Sequence, residues 1–81
     1  MPAIPPDVLA AARSLAGLSQ GGLASISGIT RRTVVRAEQG LSIHERNRQA
    51  ILEALRKRGV EIEIAEDGAV IVRRAPSLAT T

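Results

Sequence analysis

Residues 18–40, Leu18-Ser19-Gln20-Gly21-Gly22-Leu23-Ala24-Ser25-Ile26-Ser27-Gly28-Ile29-Thr30-Arg31-Arg32-Thr33-Val34-Val35-Arg36-Ala37-Glu38-Gln39-Gly40, decide the fold. Ser19 carries the kind of hydroxyl that caps a helix start. Leu23, Ala24 and Ile26 then recur at about the helical period before Ser27-Gly28 ends the run. Gly28 tolerates the left-handed conformation that reverses a chain directly after a helix. Ile29 can drop into the crevice between two helices while Thr30 caps the second. With Val34 and Ala37 three apart, one face of that second helix turns inward. Arg31, Arg32, Val35, Arg36 and Gln39 face the other way. The spacing predicts two short helices joined by a tight turn, the second of them basic on its outer face.

Arginine suits such a face if the partner is DNA. Its planar, always-charged fork bonds two acceptors at once, such as O6 and N7 of guanine in the major groove. A helix N-terminus also attracts phosphate, which gives Thr30 and the amides after it a use at the DNA backbone. Most charge runs are solvated faces and nothing more. What distinguishes this one is its setting between Ser19-Gln20, Gly28-Ile29-Thr30 and Glu38-Gln39-Gly40.

On these residues the chain resembles the Xre/Cro-type family of phage-repressor-like helix-turn-helix transcriptional regulators, over residues 7–58 and most specifically over 18–40. The resemblance implies that Arg31, Arg32, Val35 and Arg36 contact bases, and that Ser19, Gln20, Thr30, Thr33 and Gln39 contact the DNA backbone. Gln20 would also brace the recognition helix. Arg13 and Glu38 occupy positions where many members of the family have a buried ion pair tying the first helix to the end of the third. Two features depart from the family pattern. Gly21-Gly22 follow the Gln where helix formers are usual, which predicts a fraying second helix; they are either a tolerated weakness or a means of close approach to a phosphate. Ala37 stands where a bulkier apolar side chain is common, which predicts a thin core.

Composition points the same way. A chain of 81 residues is one domain at most, and with no Phe, Tyr or Trp its burial falls to Leu, Ile, Val and Ala. Marginal monomer stability is expected, and oligomerisation is a common remedy. The absence of Cys removes disulfides and thiolate metal sites. No metal and no cofactor are expected. The Met-Pro-Ala-Ile-Pro-Pro start has neither a basic n-region nor a long apolar run, so a soluble cytoplasmic protein away from the membrane is expected. Of the net charge of +3, the basic excess lies in residues 1–58, while residues 59–81 carry two Arg against four acids. Nucleic acid is the anionic partner this suggests, with the C-terminal segment facing away from it.

Outward from the central stretch, residues 1–6 read as an N-terminal arm. Pro5-Pro6-Asp7 opens a first helix with Val8, Ala11, Ala12 and Leu15 as its apolar face, ended by Gly17. Ser42 and Glu45 have capping-box spacing and predict a fourth helix to about Arg58, with Ile51, Leu52 and Leu55 buried. Arg56-Lys57-Arg58 either complement that helix's dipole or reach phosphate. His44, the lone histidine, reads as a solvated side chain.

Residues 59–74 change period. Val60-Glu61-Ile62-Glu63-Ile64 alternates, Glu66-Asp67-Gly68 is turn chemistry, and Val70-Ile71-Val72-Arg73 is β-prone. A three-residue loop with Gly68 in the left-handed bulge position pairs Ile64 with Val70, Ile62 with Val72 and Glu61 with Arg73. Two strands alone are scarcely stable, so this hairpin must pack on the helices, pair with a second subunit, or do both. Ile62, Ile64, Val70, Ile71 and Val72 are the expected homodimer contacts, and truncation after Gly59 is expected to leave a poorly stable monomer. Residues 75–81 read as a disordered tail.

The expected architecture is therefore mainly α, a four-helix repressor-like domain with a C-terminal hairpin. It also resembles small Xre-type regulators ending in a Gly-Val-Glu-plus-aliphatic stretch, here Gly59-Val60-Glu61-Ile62. That resemblance implies a dimeric regulator, in the leading reading a repressor on a pseudo-palindromic double-stranded operator. An antitoxin that represses its own operon while its hairpin or tail holds a toxin is the alternative. A protein-interaction module without DNA is the third reading. An enzyme is not expected: the chain has no Cys, an unpatterned His, no phosphate-cradling loop and no clustered carboxylates.

Overall fold

The computed structural model describes residues 4–75. Four helices, α1 (Pro6–Leu15), α2 (Gln20–Ser27), α3 (Arg31–Glu38) and α4 (Glu45–Lys57), precede a two-stranded antiparallel hairpin, β1 (Val60–Ile64) and β2 (Val70–Arg74). Pro6, which the sequence reading places in the arm, already occupies the first turn of α1, where its missing N–H costs nothing, and residues 1–3 lie outside the described residues. Residues 76–81, with most of the expected tail, lie outside the described residues.

Local chemistry sets the helix ends around the central turn. Ser19 Oγ accepts from the Gly22 N–H at 2.9 Å and Thr30 Oγ1 from the Thr33 N–H at 3.1 Å, each satisfying a first-turn donor. Between them Gly28 takes φ +72°, and the Ile29 N–H returns to the Ala24 carbonyl at 3.1 Å. Ile29 then packs against the core.

Instead of lying in the interior of α2, Gly21 and Gly22 fall in its first turn, where the Ser19 cap holds them. They are not equivalent. A Cβ on Gly21 would meet nothing nearer than Ser19 Oγ at 4.0 Å, whereas one on Gly22 would sit 3.2 Å from that oxygen and press on the cap. Gly21→Ala should therefore stabilise the protein by about 0.4–1 kcal/mol through the unfolded chain. Thermal melts should show Gly21→Ala a few degrees above wild type and Gly22→Ala level with it or below.

The core comprises Leu9, Ala12, Leu23, Ala24, Val34, Ile51, Ala54, Leu55 and Val60. Three faces differ from the sequence expectation. In α1 the buried stripe is Leu9 and Ala12 with Ala16 beside them, while Ala11 is exposed and Leu15 is 44% exposed. Apolar residues at most positions of α1 made several stripes compatible with the pattern, and packing chose this one. Ile26 is likewise exposed, at the margin of the face of α2 that Leu23 and Ala24 bury. In α4 Ala54 joins Ile51 and Leu55, and Leu52 is only half-buried.

The expected capping box at Ser42 and Glu45 does not form. His44 is the N-cap residue and gives no side-chain cap, and Glu45 accepts from Arg48 at 2.6 Å and Gln49 at 2.8 Å within its own helix. The Arg48 bond, then the Gln49 bond, hold the Glu45 carboxyl below its ordinary pKa. Ile43 packs on the core and fixes the chain just before α4, which leaves Ser42 too early to cap it. Ala37 borders a surface notch of about 250 Å³ shared with Leu9, Ile43 and Ile51.

The hairpin register is the expected one, with Glu61 opposite Arg73, Ile62 opposite Val72 and Ile64 opposite Val70. Gly68 at φ +88° makes the left-handed step in the three-residue loop between Ala65 and Ala69. The hairpin packs on α1 and α4, with Val60 wholly buried and Ile62 and Val72 against the core. Ile71 departs from the group in which the sequence placed it. It pairs with Glu63, so strand alternation puts it on the opposite face from Ile62, Ile64, Val70 and Val72, and it is 45% exposed.

Candidate nucleic-acid interface

The site is built on α3 and the start of α2. Arg31 and Arg32 occupy the first turn of α3 and are exposed, as are Ser19, Thr30 and Gln39. Thr33, Val35 and Arg36 are half-buried, and Val34 is fully buried beneath them. The Thr30 and Thr33 hydroxyls share a hydrogen bond of 2.9 Å, so both side chains are ordered by the cap of α3.

Under α3 lies a polar cluster assembled from three helices. Arg13 Nε and Nη2 donate to the two carboxylate oxygens of Glu38 at 2.6 and 3.1 Å, a two-pronged pair with side-chain exposures of 18% and 8%. Arg13 Nη1 donates to the Leu18 carbonyl at 3.0 Å, which ties the α1–α2 connection to the same cation. The bond to Glu38 pushes the Arg13 pKa further above its ordinary value, against the opposing effect of partial burial. Gln20 completes the cluster: its amide donates to Glu38 Oε1 at 3.2 Å, and its carbonyl oxygen accepts from Arg31 Nη2 at 3.4 Å. A chain of contacts thus runs from Arg13 through Glu38 and Gln20 to Arg31, linking the orientation of an exposed arginine to a largely buried anchor.

Arg36 behaves differently from the outward-facing side chain that its position in α3 predicts. Its guanidinium donates to the Ser42 carbonyl at 3.3 Å, and with Thr33 it lines a surface notch of about 350 Å³ closed by Ser42, Ile43, His44 and Asn47. His44 and Asn47 are the polar neighbours that sequence reasoning did not connect to the site. No periodic signal links them to Thr33 and Arg36, because the loop that brings them together is irregular.

The structure therefore brings Ser19, Gln20, Thr30, Arg31 and Thr33 into one neighbourhood and moves Arg36 toward the α3–α4 loop. The hairpin residues Ile62, Ile64, Val70, Ile71 and Val72 form no part of this site. Among the described residues there is no group of His, Asp and Glu able to hold a metal ion, and no helix is long and apolar enough to cross a membrane. No protein-family model matches the chain, and no curated protein matches it.

Proposed function

We propose that this protein is a sequence-specific DNA-binding regulator of helix-turn-helix type, acting in the cytoplasm as a two-fold dimer that represses by occupying a pseudo-palindromic operator. The observation that carries this reading is the exposed Arg31-Arg32 pair at the first turn of α3, next to the capped start of α2 and braced through Gln20. Such a helix can enter a major groove, where paired donors of Arg31 and Arg32 read guanine edges. Ser19, Thr30, Thr33 and Gln39 would then meet backbone phosphates, and Val35 a thymine methyl. Arg36 would hold the α3–α4 loop in place as well as contact DNA. Two copies would address half-sites about one helical turn, roughly 34 Å, apart.

Selection of bound sequences from random DNA tests this directly and returns half-site and symmetry together. On the selected operator, Arg31→Ala or Arg32→Ala should cost about 1–3 kcal/mol and relax preference at one base position. Gln20→Ala should weaken binding evenly across sequences. Wild-type affinity in both arginine variants and in Arg36→Ala would remove α3 as the reading element.

The antitoxin reading draws on one feature: Glu63, Glu66 and Asp67 are exposed at the turn end of the hairpin, where a basic protein could dock. A toxin gene beside this one, and co-purification of its product with the intact chain, would favour it. Both readings use the same DNA-binding helix.

A further inference from the structure

Resting on the dimeric reading above, the strand chemistry says which edge of the hairpin the second copy occupies. We infer that β2 pairs antiparallel with the partner's β2, with the two-fold axis at Ile71, to give a four-stranded sheet in the order β1-β2-β2-β1.

Main-chain geometry leaves the outer edge of β2 ready for this. The Ala65 N–H bonds the Ala69 carbonyl at 2.8 Å and the Ala75 N–H bonds the Gly59 carbonyl at 2.6 Å, one at each end of the ladder. Bonded and non-bonded pairs alternate in an antiparallel ladder, so Glu61 with Arg73 and Glu63 with Ile71 are the bonded pairs between them. Val70 and Val72 consequently turn their N–H and C=O groups outward. Among the described residues, no main-chain bond from outside the ladder reaches them.

Charge then separates the two edges. Every two-fold pairing of β1 centred within Glu61–Glu63 sets one glutamate opposite another, a direct like-charge contact. The edge of β1 is guarded in the way isolated edges usually are. Residues 69–72, Ala-Val-Ile-Val, carry no charge and no proline, and an uncovered edge of that kind invites further strand pairing. Among β2 registers, an axis at Arg73 opposes two arginines, and an axis at Val72 sets Ile71 against Arg73. An axis at Ile71 sets Ile71 against its own copy, Val70 against the partner's Val72, and Arg73 against Ala69. This register opposes no like charges. It pairs Ile71 with Ile71 at a non-bonded position, where side chains approach most closely, and makes Val70 and Val72 exchange main-chain bonds with the partner. It also gives a role to Ile71, 45% exposed on the face turned away from the core.

Because the chain has no cysteine, single-cysteine variants report the pairing cleanly. Cα atoms at a non-bonded antiparallel pair lie about 4.5 Å apart, within disulfide reach. With the full chain under a mild oxidant, Ile71→Cys should convert to a disulfide-linked dimer that reductant reverses. Glu63→Cys, on the same face of β1, should remain single-chain. Ile71→Lys should keep the wild-type helical circular dichroism and raise the dimer dissociation constant on the order of a hundredfold, through lost apolar contact and opposed charges. Cross-linking of Glu63→Cys without Ile71→Cys would overturn the inference by moving the pairing to β1. A wild-type dimer in sedimentation with neither variant cross-linking would overturn it by taking the interface off the sheet edges. A wild-type monomer at every concentration would overturn the dimeric reading itself, while the operator selection reports on DNA binding separately.

Discussion

Glu38→Ala is expected to lower stability by about 3 kcal/mol, the low end of the cost of breaking a buried ion pair. The substitution leaves the Arg13 guanidinium, 18% exposed, with only the Leu18 carbonyl, and removes an acceptor from the Gln20 amide. Partial access of water to Arg13 keeps the figure from the upper end. For a domain of this size that is a fall in Tm of roughly 12–24 °C. Arg13→Ala should be at least as damaging, since it strands the more buried partner, Glu38, at 8% exposure. In the double variant neither charge is left behind, so its loss should fall well short of the sum of the singles. Thermal melts of the four proteins form the cycle; small additive losses would show the pair to be solvated and of little consequence. Gln20→Ala sits on the same cluster without stranding a charge, and should weaken DNA binding far more than it lowers Tm.

Truncation after Gly59 is expected to abolish cooperative folding. The sequence alone suggests a destabilised monomer, but Val60 is 0% exposed and stands among the largest fully buried side chains, and Ile62 and Val72 lie against the same core. Burying an aliphatic side chain contributes about 1.5–3 kcal/mol, and the total stability of a small domain is on the order of 5–15 kcal/mol. Removing one full and two partial burials, while uncovering faces of α1 and α4, takes most of what such a chain has. The expected result is a broad or absent thermal transition and loss of operator binding. Val60→Ala separates the core from the interface: it should lower Tm by itself, whereas Ile71→Lys should change association and leave the isolated protomer's melt nearly unaltered. A sharp transition in the truncated chain near the wild-type Tm would show that the helices form a complete core without the hairpin.

Features that depend on residues a few positions apart were legible in advance. The Ser19 and Thr30 caps, the Gly28 reversal, the strand alternation and the Gly68 loop each follow from chemistry within one turn of chain, and the structure contains all of them. Ser42 and Glu45 show the limit of such reasoning. The spacing of a capping box is present, but Ile43 is drawn to the core and the helix starts later. Arg13 and Glu38 were reached only through a family resemblance, because nothing local connects residues so far apart in the chain.

What the sequence determined by itself is the set of elements, their order, the hairpin register and the basic outer face at Arg31-Arg32. These rest on backbone sterics, first-turn hydrogen bonding and side-chain periodicity, which act before the chain is compact. Tertiary structure alone decided which stripe of an apolar-rich α1 is buried, that Val60 belongs to the core, that Gln20 joins Glu38 to Arg31, and that Arg36 turns to the Ser42 carbonyl. Each of these is a competition among near-equal local choices. It is settled by close packing and by the need to satisfy half-buried polar groups with partners that only the folded chain brings within reach.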